Sequence, residues 1–148
     1  MALNYRQIRD DRQWRSATGL NKSQFNKLVV EFKLTYEGLL GESISKRISN
    51  SSSKSSFRTY EDLLFFILYS IKSGLTYDLL ALSFDMNRSN AYRIQCFGLR
   101  MLERTLARLD FMPRRFFEDL DDFKEVMSEQ ETIILDACEQ RRQRPQNE

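Results

Sequence analysis

The sequence predicts a mainly α-helical protein. Apolar residues recur three and four positions apart over long stretches, Asn or Thr stands at the head of these stretches, and glycine closes two of them. With 41% apolar residues in 148 positions, the chain is long enough to bury a core of its own.

Each element has its own warrant. Trp14, Ala17 and Leu20 form an apolar lead-in, after which Asn21 and Gln24 stand three apart as a capping box. Phe25, Leu28, Val29, Phe32, Tyr36, Leu39 and Leu40 then recur at helical spacing until Gly41, which predicts one amphipathic helix of about five turns. Residues 41–57 are rich in Ser and Lys and include Ser49-Asn50-Ser51-Ser52-Ser53, too polar for burial to offset the entropy of ordering. A mobile linker is expected there.

Thr59 with Asp62 reads as a second capping box, opening a helix that is apolar nearly all round over 63–71 and stops at Gly74. Such a helix belongs at the centre of a fold. Thr76 is placed to cap a short helix over 77–84, Asp85-Met86-Asn87 makes a turn, and a long helix runs from about Arg88 toward Leu109. Its predicted buried stripe is Ala91, Ile94, Gly98, Met101, Leu102 and Thr105, with Phe97 and Leu106 on the flank. Beyond Phe111-Met112-Pro113, short acidic helical pieces are expected at about 114–129, and the apolar, β-prone run 132–138 predicts a strand.

Charge is unevenly distributed although the net value is only +2. Residues 1–58 carry 11 Lys/Arg against 5 Asp/Glu, 59–110 carry 6 against 6, and 111–140 carry 3 against 9. A basic front half suits a polyanionic partner, which the acidic stretch would repel. The chain contains no His, and Cys96 and Cys138 lie 42 positions apart, which excludes the usual zinc spacings and any His-based nucleophile triad. The most apolar stretch, 63–71, is about half the ~20 residues a bilayer span needs, and the start of the chain lacks the apolar core of a signal peptide. A reduced, cytoplasmic protein with no membrane partner is the expectation.

The segment 76–94 has the internal logic of a helix-turn-helix. Small Ala81 lets the first helix approach the second, Leu80, Phe84, Met86, Ala91 and Ile94 supply a shared core, and Asn87 caps the second helix after a three-residue turn. Asp85 occupies the turn position where many such units carry Gly; Asp tolerates the left-handed conformation better than most residues. In a helix-turn-helix the N-terminal residues of the second helix face base edges in the major groove. Here those are Arg88, Ser89, Asn90, Tyr92 and Arg93, of which Asn suits adenine and Arg suits guanine. Arg93, Arg100, Arg104 and Arg108 follow at intervals of 7, 4 and 4, on one side of the helix. Arg100 and Arg104 suit the phosphate backbone as the helix leaves the groove, a solvated face being the equal alternative, whereas Arg108 reads better as a solvated residue beyond its reach. An ordinary helical hairpin inside an α-bundle fits the same pattern.

Asp136 closes the apolar run Ile133-Ile134-Leu135 and opens the stretch Asp136-Ala137-Cys138-Glu139-Gln140-Arg141-Arg142-Gln143-Arg144-Pro145. A carboxylate on a strand, followed by Glu and an Arg-Pro element, resembles the first catalytic strand of bacterial DDE-superfamily insertion-sequence transposases. The start Thr18-Gly19-Leu20, the apolar central helix, the helix-turn-helix and the Asp136 strand occur in that family's order and at similar spacing. Cys138 departs from the family's more familiar Thr.

This resemblance implies a helical N-terminal region with a helix-turn-helix, followed by the first β-strand of an incomplete ribonuclease-H-like domain. Composition and periodicity set boundaries at 1–40 for an N-terminal helical segment, 41–58 for a linker, 59–110 for the helix-turn-helix region and 111–148 for an acidic connector with the strand, and the resemblance makes the third a DNA-binding region and the last the start of a catalytic domain. Asp136 takes the role of the first catalytic and metal-binding carboxylate, with magnesium as the metal of a complete enzyme. No second and third carboxylate of the kind follows, so this chain by itself is expected to hold no cofactor and to be inactive.

The implied partner is double-stranded DNA at the terminal inverted repeats of an insertion sequence, in the nucleoid, with a second copy of the chain or the remainder of the transposase as further partners. The alternative function is a stand-alone helix-turn-helix transcriptional regulator, and a third is a structural helical interaction module.

Overall fold

In the computed structural model, residues 2–50, 57–112 and 116–128 are described, and among them the protein is helical without a strand. A short 3-10 helix, Tyr5–Gln7, precedes α1 (Asp11–Thr18), α2 (Lys22–Leu40), α3 (Ile44–Ser49), α4 (Tyr60–Ser73), α5 (Tyr77–Ser83), α6 (Arg88–Arg108) and α7 (Leu120–Ser128). The predicted strand 132–138 and its Asp136 lie outside the described residues.

The predicted local signals set the helix ends. Asn21 accepts from the Gln24 amide while the Gln24 side chain accepts from the Asn21 amide, closing the expected box at the head of α2. Gly41 and Gly74 take left-handed conformations at the ends of α2 and α4, each donating back into the last turn. Only half of the second box forms: Thr59 Oγ1 accepts from the Asp62 amide, but the Asp62 carboxylate accepts from Asn4 Nδ2, at 3.4 Å. A distant segment has taken the carboxylate that the local pattern assigned to the cap.

Residues Met1–Met112 form one compact unit around α4. Five consecutive residues of α4, Leu63 to Ile67, are buried, so this part of the helix is enclosed on every side as its composition predicts, whereas Ile71, at the far end of the apolar run, is exposed. The α1 helix packs on it through Trp14, whose ring lies 4.7 Å from that of Phe25 on α2. From the other side α6 packs against both α2 and α4, and α5 packs against α6. Phe84, at the end of α5, meets Phe66 and Tyr69 of α4 edge to face at 4.9 and 5.5 Å.

The stretch expected as a linker is corrected in part. It carries α3, capped by Ser43, with Ile44 buried and Ile48 packed against the core. Phe57 is also buried, against Phe66 and Phe84. Its composition is polar, but its few apolar residues find surface that α4 and its neighbours already present, so each contributes more burial than a local average suggests. The Tyr60 hydroxyl fastens this region by donating to Glu37 Oε1 (2.7 Å) and accepting from the Ile44 amide (3.0 Å).

Residues Pro113–Glu148 form a separate unit, of which 116–128 are described. Asp119 Oδ1 accepts from the Asp121 and Asp122 amides at the head of α7, and Phe117 stacks edge to face on Phe123.

Candidate nucleic-acid interface

The α5 and α6 helices meet through a tight turn built by its own residues. Thr76 caps α5, accepting from the Leu79 amide, and the Met86 amide donates to the Ala81 carbonyl across the turn. Asp85 sits at φ 52°, in the left-handed region expected of the residue standing in place of Gly. Asn87 then accepts from the Asn90 amide at 2.8 Å and starts α6. Leu80, Ala81, Phe84 and Ala91 are buried between the two helices and the core, and Met86 and Ile94 are half-buried. Every residue assigned to the shared core of the motif lies inward.

What remains outward at the start of α6 is the set picked out by sequence. Arg88, Ser89, Tyr92 and Arg93 are exposed, and Asn90 is half-buried. Arg88 is not wholly free, because Asp78 on α5 stands 3.8 Å from its Nε. Both groups are well solvated, so the pair contributes little to stability but places one negative charge beside the helix start.

Tyr92 leans edge to face on Tyr77 of α5 at 5.3 Å, which fixes an otherwise half-exposed ring. Its phenol is raised from the ordinary value, first by a hydrogen bond with the Cys96 side chain one turn on and then by the charge interaction with that group. Arg100 opposes the shift.

Further along α6, Arg100 and Arg104 are exposed, but the fourth arginine of the predicted stripe leaves the row. Arg108 is exposed, as expected, but it is also tied down: its guanidinium pairs with the Glu31 carboxylate, donates to the Glu31 carbonyl (3.2 Å), and donates through Nε to Thr35 Oγ1 (3.2 Å). It clamps the end of α6 to α2. Nothing in the local sequence marks this, since the partners stand more than 70 positions away.

Among the described residues no group of three His, Cys, Asp or Glu side chains is arranged to hold a metal ion. Asp136, to which the resemblance assigns magnesium, lies outside those residues. No helix among them is long and apolar enough to cross a membrane. No protein-family model, curated protein or solved structure matches the chain.

Proposed function

We propose that the protein binds double-stranded DNA by placing the start of α6 in the major groove, as the end-recognising portion of an insertion-sequence transposase. The observation that carries DNA reading is the α5–turn–α6 geometry: a left-handed Asp85, an Asn87 cap, and Arg88, Ser89, Tyr92 and Arg93 turned outward from a buried seam. Arg93 and Asn90 read base edges, Arg88, Ser89 and Tyr92 join them at the groove, and Arg100 and Arg104 accompany the phosphate backbone. Transposition as the setting comes from the sequence features that resemble the DDE family, including Asp136 as a metal-binding carboxylate of a complete catalytic domain.

A selection from a pool of random duplexes tests this reading. Enrichment of one sequence, with weaker binding to it by Arg93→Ala and unaltered weak binding to random duplex, is the expected result. No enrichment, or equal losses on selected and random duplex, would overturn groove reading by α6.

A further inference from the structure

The segment ahead of α2 carries arginines at every third position, Arg6, Arg9, Arg12 and Arg15, and all four are exposed. Around and between them, Leu3, Tyr5, Ile8, Trp14 and Ala17 pack into the core, so the backbone is held while the guanidiniums are exposed. Tyr5 lies 6.2 Å from Phe25 and 6.5 Å from Phe65, and Asn4 closes a capping box with Gln7. This is a fixed basic ridge rather than a loose tail.

The two acids within the ridge, Asp10 and Asp11, offset two of its four positive charges and leave it net positive. Asp10 accepts from the Gln13 amide at 2.8 Å as the cap of α1, and Asp11 accepts from the Lys22 amide at 3.4 Å. Both carboxylates are turned onto backbone donors, and among the described residues none of the four arginines forms an ion pair. Arg6 lies over the Tyr5 ring at 5.1 Å, a contact that leaves its N–H groups available. The exposed guanidiniums leave the segment with a net positive charge, which favours an anionic partner.

The ridge is also fastened to the proposed reading unit. The Leu3 amide donates to the carbonyl of Ser83, the last residue of α5, at 2.8 Å, and Leu3 and Asn4 line a small cavity with Phe84. We infer that Arg6, Arg9, Arg12 and Arg15 form a second DNA contact, gripping backbone phosphates beside the groove that α6 enters. Guanidinium suits this task because its donors match phosphate oxygens in pairs. Arg12 and Arg15 are about 4.5 Å apart along α1, within the span that long side chains need to reach neighbouring phosphates. The inference rests on DNA binding by α6.

The test uses the full chain, a duplex of random sequence and the dependence of affinity on potassium chloride. A variant combining Arg6→Gln, Arg9→Gln, Arg12→Gln and Arg15→Gln should flatten the plot of log affinity against log salt by roughly 2 to 4, since each lost phosphate contact removes about 0.9. The four Arg→Lys substitutions should keep the wild-type slope, because the charge remains. Helix content by circular dichroism confirms that both variants are folded.

Binding by the wild type with the same slope in the Gln variant would overturn the ridge contact and leave α6 untouched. An equal loss in the Gln and Lys variants, or an equal flattening from Lys27→Gln with Lys33→Gln on α2, would also overturn it. Absence of duplex binding by the wild type at low salt would instead remove the DNA reading itself.

Discussion

A methyl group on Gly98 would overlap Cγ1 and Cδ1 of Ile67, so α6 crosses α4 with its bare backbone against a β-branched side chain. Ile67 is fully buried and enclosed by the core, which leaves it no room to turn away. This contact sets how closely the long helix sits on the central one, and through it the position of the residues at the start of α6.

Gly98→Ala should therefore destabilise the protein although alanine is the better helix former. Overpacking a core costs about 1–3 kcal/mol, while the helix gains about 1 kcal/mol from replacing Gly. A net loss of up to roughly 2 kcal/mol is expected in urea unfolding, partly recovered when Ile67→Val is added. Stabilisation by Gly98→Ala would show that the helices can separate without cost.

Arg108 and Arg93 should part company in experiment although both are exposed arginines on α6. Arg108→Ala removes the clamp on Glu31 and Thr35 and should lower stability by about 1 kcal/mol, a modest value because the pair is partly solvated. Its DNA affinity should be nearly unchanged. Arg93→Ala should leave stability within about 0.5 kcal/mol and weaken specific DNA binding by about 1–3 kcal/mol. Melting curves and anisotropy titrations on the two variants decide it; a reversed pattern would exclude the assigned roles.

Asp78→Asn should strengthen DNA binding. The substitution removes a negative charge from beside Arg88 and frees that guanidinium, at the cost of a favourable acid in the first turn of α5 worth about 0.3–1 kcal/mol. Several-fold tighter binding at low salt, fading as salt rises, is the expected outcome. Unchanged affinity would place Arg88 away from DNA.

Tyr60 gives the fold an alkaline limit. Burial, followed by its hydrogen bond to Glu37, pushes its phenol up to about 12 from an ordinary value of 10.0. Because the folded value lies above the unfolded one, the contribution is complete below pH 10 and is lost as pH rises toward 12. Tyr36, raised first by burial, adds in the same direction. Tyr60→Phe should cost about 1–3 kcal/mol at neutral pH by removing the donor to Glu37 and the acceptor for Ile44, and should flatten the fall in stability over the alkaline range. Urea unfolding as a function of pH checks both, and an undiminished alkaline slope in the variant would assign it elsewhere.

For α2, α4, α5 and α6 the sequence by itself determined where the helix begins and ends and most of the face that lies inward, with Leu39 and Ile71 as exposed exceptions. Asn21, Thr59, Thr76 and Asn87 cap the helices they precede, Gly41 and Gly74 close two of them, and Asp85 makes the turn, because each acts within about four residues of its own position. The outward set Arg88, Ser89, Tyr92 and Arg93 was legible for the same reason: helical periodicity separates it from Ala91 and its buried neighbours.

Only the tertiary structure decided that Arg108 grips α2, that Asp62 serves Asn4 instead of its own cap, that Phe57 and Ile44 are core residues within a polar stretch, and that the arginine ridge is joined to the end of α5. These pairings join residues whose separation along the chain carries no periodic signal. They are selected by which surfaces the crossing helices bring within hydrogen-bonding or van der Waals reach, a property of the assembled bundle rather than of any local segment.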